Sequence, residues 1–410
     1  MKNPDSIIFH IDVNSAFLSW SALKLLQEGA EVDLRSVPSI VGGDQKTRHG
    51  IVLAKSIPAK KYGIQTAETV ASALQKCPDL VMVPPEHSYY REQSRKLMSY
   101  LSEICPVIQQ VSVDECYMDF EPVRKKYASA EACARRICDG VRETFGFTVN
   151  VGISDRKILA KMASDFEKPD KVHTLYASEI SSKLWPLPIG ELHMCGKSAA
   201  AKLRTMGINT IGDLAVLDVS YAENWLKKQG RMLWEFANGI DDREVETEPF
   251  RAKGVGNSTT LSKNALTREE ACSVLKMLSK KVAERLDKQA FLAGGVCTEI
   301  KYASFQSVSH QTVLKTETSD PEKFYKAACE LFDEIWNGDP IRLLGVRTTR
   351  LVDKGTPVQL NLFDFQKDLE KEKKDKAEEA KRQSLEAAIG SIKKRFGEKA
   401  IQKGLDRKNS

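Results

Sequence analysis

Ile7-Ile8-Phe9-His10-Ile11-Asp12-Val13-Asn14-Ser15-Ala16-Phe17 and, about a hundred residues later, Ser112-Val113-Asp114-Glu115-Cys116-Tyr117-Met118-Asp119-Phe120 decide how this chain reads. Each is an apolar, β-prone run that delivers carboxylate at one end. An ionised carboxylate beside a buried run is costly unless it is paired or coordinates a metal. Asp12 precedes a helix and could equally cap it. Asp114 and Glu115 are adjacent, so on a regular strand they face opposite sides. Both serve one site only if the backbone bends near Asp114; Cys116, Met118 and Phe120 resume strict alternation after it. An ordinary acidic turn is the competing reading. Three carboxylates brought together suit two divalent cations, and two cations suit phosphoryl transfer.

A chain of 410 residues is long for one core, so two to four domains are expected. Its 41% hydrophobic and 29% charged residues are those of a globular protein, and the net charge of +6 permits nucleic acid as a partner. Nine cysteines without a CxxC pair argue against a disulfide framework or a thiolate metal site and for reduced thiols in the cytoplasm. The segment Met1–Asp5 lacks the apolar core of a signal peptide, and no run is long enough to span a membrane.

Residues 7–12 read as a buried strand and Ser15 to about Gln27 as a helix. Short strands follow over 31–75, punctuated by Gly42, Gly43 and Gly50, with a helix-like Pro58–Tyr62. Leu80–Val83 is a further strand, and Leu97, Leu101 and Ile104 mark a helix. A helix is expected over about 129–144. Phe147–Ile153 alternates with period two and predicts a half-buried strand, and Ser154 can cap a helix burying Ile158, Met162 and Phe166. Alternating strands and helices indicate an α/β sheet domain with an insertion. Over 186–240 helices are short, with Gly196, Gly207, Gly212, Gly230 and Gly239 at their ends and a capping box at Thr210–Asp213. Asp241 to about Pro249 reads as a linker. Residues 253–352 follow the order β-α-β-β-α-β of a ferredoxin-like domain: a strand at Val255–Leu261, a helix capped by Thr267 and Glu270, strands near 294–302 and 308–316, a helix opened by Asp320-Pro321, and a strand at Leu343–Leu351. A Lys- and Glu-rich tail closes the chain.

On these residues the chain resembles a Y-family DNA polymerase, the translesion group that includes DinB and UmuC. The likeness covers about residues 5–365. The first palm motif of that family matches His10–Phe17 and the second matches Ser112–Glu115. A third matches Val151-Gly152-Ile153-Ser154, followed by Ala160–Ser164 and Lys168-Pro169. All three in order at this spacing are highly specific. The resemblance implies a right-hand architecture: an α/β palm over 1–27 and 78–175, small fingers over 28–77, and a helical thumb over 176–243 with a helix-hairpin-helix. A linker over 244–252 would lead to a ferredoxin-like little finger over 253–355, then a clamp-binding segment at 356–365 and a charged tail at 366–410. It implies two Mg²⁺ per active site, held by Asp12, Asp114, Glu115 and the Val13 carbonyl. Phe17, beside Ala16, matches the aromatic steric gate that selects deoxynucleotides. Lys168 matches a lysine on the triphosphate.

Ala54–Ile64 matches the fingers segment, with Ile57 and Lys60 where DinB-type enzymes usually have Tyr and Arg; Lys60 keeps the charge but not the bidentate fork. His193–Lys197 stands where the thumb hairpin usually reads Pro-Gly-x-Gly, keeping Gly196, with Lys197 after it. Lys253, Asn257, Ser258, Lys301 and Arg347 are candidate DNA contacts, although each singly reads as a solvated surface residue sooner than as a contact. Gln359-Leu360-Asn361-Leu362-Phe363 resembles the bacterial sliding-clamp peptide, with Gln359 to hydrogen-bond and Leu360, Leu362 and Phe363 to fill an apolar pocket. The expected partners are primer–template DNA, deoxynucleoside triphosphates and the sliding clamp, acting on a cytoplasmic monomer. A catalytically inactive, clamp-bound adaptor is the alternative. A diguanylate cyclase is a weaker one, because its Gly-Gly-Asp-Glu-Phe hairpin is absent.

Overall fold

The computed structural model describes residues 6–43, 50–248 and 251–356. The expected clamp peptide at Gln359–Phe363 and the charged tail lie outside the described residues.

The Ile- and Phe-rich run forms β1 (Ile8–Val13), and α1 (Ala16–Gln27) follows at once. Next come β2 (Ser39–Gly42), β3 (Val52–Lys55), α2 (Ile57–Lys61), α3 (Val70–Lys76) and β4 (Val81–Val83). These strands make a small sheet in the order β3-β2-β4. β4 runs parallel to β2 and satisfies its second edge, so the strand expected at the start of the second palm segment belongs to the inserted sheet.

The main sheet is completed by α4 (His87–Ile104), β5 (Ile108–Gln110), β6 (Glu115–Asp119), α5 (Ala130–Phe145), β7 (Val149–Ser154), α6 (Lys157–Ser164) and β8 (Val172–Thr174), in the order β5-β6-β1-β7-β8. Phe9, Ile11 and Val13 share a core with Leu97 of α4, Ile137 of α5 and Val149, Val151 and Ile153 of β7. The alternate residues of β1 and β7 face α6. The period-two pattern of β7 is therefore real, but the strand is buried throughout rather than half-buried. Its polar alternates are used: Asn150 Nδ2 donates to the Ser164 and Glu167 carbonyls (3.1 and 2.8 Å). Gly152 lets α6 approach, because a Cβ there would lie 2.0 Å from the Ala160 carbonyl oxygen.

Ser154 does not cap α6. Its hydroxyl donates to the Leu175 carbonyl (2.6 Å), and Arg156 takes the N-cap position without a side-chain cap bond. The Ile158 amide instead finds Asp241 Oδ2 at 2.9 Å, 83 residues away in the expected linker. That linker is docked. Buried Lys157 donates to the Glu244 carbonyl (2.9 Å) and to Gln109 Oε1, Glu246 N–H reaches the same Gln109 oxygen (3.2 Å), and Val245 packs against Ile8, Tyr117 and Ala160.

The helical unit contains α7 (Lys197–Thr205), α8 (Ile211–Ala215), α9 (Val219–Leu226) and α10 (Lys228–Ala237). Thr210 and Asp213 close the expected capping box on α8. Gly212 and Gly230 lie inside the first turns of α8 and α10, where Trp185 and Ala222 approach too closely for a Cβ.

The last unit is β9 (Gly256–Ala265), α11 (Arg268–Lys288), β10 (Phe291–Tyr302), β11 (Ser307–Thr318), α12 (Pro321–Ile335) and β12 (Ile341–Asp353). Its antiparallel sheet has the order β11-β10-β12-β9 and packs one face on both helices. Thr267 with Glu270 caps α11, and Asp320 with Pro321 opens α12, as the sequence predicts.

Candidate active site

β1 and β6 run antiparallel with Asp12 directly opposite Glu115, so the two side chains share the sheet face covered by α6. Asp114 stands one residue before β6. The Val111 and Ser112 amides both donate to the Glu115 carbonyl (3.0 and 3.2 Å), closing the bend that adjacent carboxylates need. The bend is tied to β1 where the Val13 N–H donates to the Asp114 carbonyl (3.0 Å). Ser112 Oγ donates to Asp114 Oδ1 and accepts from the Asp114 N–H (3.2 Å). Asp12 does not cap α1; its carboxylate pairs with Lys168, while Ser15 takes the N-cap position in a left-handed conformation.

Charge around these groups is uneven. Burial pushes the Asp114 carboxyl above its ordinary range, and the Asp12 and Glu115 charges push the same way, against the Ser112 bond. Glu115 is held down to about 2, first by the hydrogen bond from His10 and then, against burial, by Lys161. Lys161 Nζ lies 3.1 Å from Glu115 and 3.3 Å from Asp165; Lys168 reaches Asp165 at 2.9 Å as well as Asp12. Among the described residues no three acidic, imidazole or thiol groups make a ready metal cage. Asp12 and Glu115 each carry a lysine where a cation would otherwise lie. The donor set still fits Mg²⁺, which takes a few carboxylates and completes its shell from substrate phosphates and water. Burial first, and then the Asp12 and Glu115 charges, disfavours the ionised Asp114 carboxylate, and a bound cation would offset both. Asp12, Asp114, Glu115 and the Val13 carbonyl are the groups that would hold it.

Beside the carboxylates opens a cavity of about 430 Å³, lined by Asn14, Ser15, Leu18, Ser19, Arg35, Lys55, Ser56, Ile57, Lys60, Thr148, Lys168 and Pro169. Four of these are cationic. Burial, and then the Lys60 charge, holds Lys55 below the ordinary lysine range; four cations around one cavity make a positive potential that a polyanion would neutralise. Of the residues expected at the nucleotide, Ile57, Lys60 and Lys168 line this cavity. Phe17 and Ala16 do not line the cavity. Phe17 stacks on Tyr90 of α4 (centroids 4.4 Å apart), and the Tyr90 hydroxyl is 2.7 Å from Ser21 Oγ, so the ring is held firmly; Ala16 is buried beneath it. Sequence reasoning missed Arg35 and Lys55. Lys55 stands within the quoted fingers segment. Arg35 is placed by a bidentate pair with Asp33, two residues before it, and by a bond to the Gly146 carbonyl (2.7 Å), the second of which leaves no local signal.

Gly196 is the N-cap of α7 and Lys197 its first residue; a Cβ on Gly196 would meet nothing within 4 Å, so the helix amides are open to approach. On the last sheet, a second cavity of about 410 Å³ is lined in part by Asn257, Ser258 and Arg347, with Glu299 and Cys297 beside them. Lys253 is exposed. Lys301 Nζ lies over the Phe305 ring at 5.4 Å and shares it with Arg342.

The impB/mucB/samB family matches residues 11–165, and the C-terminal domain of the same family matches residues 252–362. Over 399 residues the chain is 41% identical to DNA polymerase IV of Clostridium acetobutylicum, covering 97% of this chain and 98% of that protein. Over 406 residues it is 34% identical to DNA polymerase IV 1 of Bacillus subtilis, covering 98% and 94%. A solved Y-family DNA polymerase chimera superposes with a TM-score of 0.74 at 22% identity over 85% of this chain and 99% of its own, and so shares the fold. With Asp12 and Glu115 on one sheet face and Asp114 in the adjoining bend, its cationic cavity and relatives aligned almost end to end, this chain belongs to the Y family of DNA polymerases.

Proposed function

We propose that the protein is a template-directed DNA polymerase of the translesion type, adding deoxynucleotides to a primer 3′ end by two-metal phosphoryl transfer. The observation that carries this reading is Asp12 opposite Glu115, with Asp114 in the adjoining bend, at the edge of a cavity lined by Arg35, Lys55, Lys60 and Lys168. When bound, two Mg²⁺ ions lower the pKa of the primer hydroxyl and neutralise charge on the pyrophosphate leaving group. The protein's own part is electrostatic and positional. Lys55, Lys60 and Lys168 hold the triphosphate, and Lys168 leaves Asp12 to do so. Phe17, fixed on Tyr90, stands against a ribose 2′-hydroxyl.

The inserted sheet is small, with a core of Ile40, Val52, Ala59, Ile64, Val70, Ala73, Cys77 and Leu80. Small fingers leave the nascent pair open to solvent, which supports low fidelity and tolerance of damaged templates. Gly196 and Lys197 grip a phosphate at the α7 amides. Lys253, Asn257, Ser258, Lys301 and Arg347 track the duplex backbone without reading sequence. Gln359, Leu360, Leu362 and Phe363 bind the sliding clamp, which raises the local concentration of a weakly held enzyme. All nine cysteines are free thiols, in keeping with a reducing cytoplasm, and no helix among the described residues is long and apolar enough to cross a membrane.

Running-start extension across a template abasic site, with and without sliding clamp, tests this reading. Bypass that rises with the clamp and loses that rise in Phe363→Ala is expected. Arrest before the lesion under both conditions would remove the translesion assignment, and a clamp effect unchanged by Phe363→Ala would remove the peptide's role.

A further inference from the structure

Glu115 is held through one oxygen only. His10 Nε2 lies 3.3 Å from Oε2 and Lys161 Nζ lies 3.1 Å from the same atom, whereas among the described residues Oε1 has no protein partner. A carboxylate anchored at one oxygen presents the other in a fixed direction.

His10 is an unusual residue for its place. It is the middle of a buried apolar strand and is 1% exposed. It stands two residues before Asp12 and so on the same face. Across the sheet it is opposite Gly152, where a side chain is missing, and Tyr117 packs its edge against the ring at 4.9 Å. Both nitrogens are used: Nδ1 lies 2.7 Å from Ser164 Oγ, at the end of α6. The ionised Glu115 carboxylate can only accept, so Nε2 carries a ring proton, while at Nδ1 the Ser164 hydroxyl is shared with the Lys161 carbonyl, to which it donates (2.8 Å). The ring is fixed on every side. Lys161, by contrast, reaches Oε2 on a flexible four-carbon stem.

We propose that His10 is a positioning residue. It pins Glu115 by Oε2 so that Oε1 is turned toward Asp12 and Asp114 as a ligand for a divalent cation. The inference rests on the two-metal reading above. Partners of metal ligands typically set affinity by about 10–100-fold.

The test counts Mn²⁺ by electron paramagnetic resonance in the complex of protein, primer–template and an α,β-imido deoxynucleotide, which binds without reacting. In His10→Gln the amide nitrogen reaches the place of Nε2; in the shorter His10→Asn it reaches only that of Nδ1. Both remove the ring, so a purely structural role would move them together. Wild type should bind two ions. His10→Gln should match it within about threefold, and His10→Asn should lose about tenfold or more at one site. With natural nucleotide, kcat at limiting Mg²⁺ should fall in His10→Asn while nucleotide KM stays put. Equal Mn²⁺ affinity in the two variants would overturn the role of His10 alone; fewer than two ions in wild type would overturn the two-metal reading itself. Should neither variant fold, nitrogen-15 signals of the wild-type imidazole decide: a bonded Nε2–H retained through a Mg²⁺ titration is expected, and its loss would overturn the proposal.

Discussion

Gly152→Ala should damage the protein where α6 seats on the main sheet. The added Cβ would lie 2.0 Å from the Ala160 carbonyl oxygen, 2.4 Å from the Ser164 amide nitrogen and 3.0 Å from the Ala163 Cβ. Ordinary contact begins near 3.4 Å, so α6 would have to retreat by more than an ångström. The obstruction is backbone, and no side-chain rotation relieves it. Overpacking of this kind costs about 3 kcal/mol. The retreat would also carry Lys161 and Ser164 away from Glu115 and His10, because both sit on α6. Chemical denaturation followed by far-ultraviolet circular dichroism should show the loss of stability. Primer extension of the folded fraction should show a rate deficit beyond that loss. Wild-type stability and rate in Gly152→Ala would refute the close seating of α6 on the sheet.

Other expected outcomes follow from the same geometry. In metal-free buffer Asp114→Asn should raise the melting temperature, because the Asp114 pKa lies above its unfolded value and its ionised form costs stability at neutral pH. Glu115→Gln should lower it: the Glu115 pKa is depressed to about 2, so its contribution is present above about pH 4.5 and fades as the pH falls toward 2. Thermal melts of both variants at pH 7, and of Glu115→Gln down to pH 3, check the opposite signs. Lys157→Met should cost about 2 kcal/mol, because the Glu244 carbonyl and Gln109 amide lose a buried donor; faster proteolysis within residues 241–246 is the accompanying readout. Phe17→Val should relax selection against ribonucleotides by roughly 100-fold in competitive incorporation, with little effect on deoxynucleotide KM.

Much of the site could be read from the chain because its signals are local. Asp12 and the Asp114-Glu115 pair each follow or open a short apolar run, and a two-residue spacing assigns Asp12 the face of His10 and Glu115 the face of Tyr117, whereas Asp114 joins them through the bend. The capping residues Thr210, Thr267 and Asp320 act within one helical turn, and the helices begin where they stand. What escaped reading is long-range. Ser154 has the composition of a cap, but the N-cap of α6 is Arg156, two residues later, and the Ile158 amide in the first turn is satisfied by Asp241 from far along the chain. The stretch after Asp241 has no apolar period, yet it is fastened by Lys157, whose burial no pattern near position 157 predicts. β7 alternates like a half-exposed strand because α6, not solvent, receives its polar residues. Arg35 reaches the cavity through partners as distant as Gly146. His10 looks like an interruption of an apolar strand until Glu115 and Ser164 are seen on either side of it.

The measurement that goes to the centre of this reading is primer extension on an undamaged primer–template with Mg²⁺ and four deoxynucleotides, comparing wild type with Asp114→Asn. Asp114→Asn preserves shape and the Ser112 bond while removing one of the three charges. Extension by wild type, with Asp114→Asn reduced to background, is the result expected of a polymerase whose metals rest on these carboxylates. Extension by Asp114→Asn at the wild-type rate would contradict that site, and no extension by wild type even with sliding clamp and its loader would leave an adaptor in place of an enzyme.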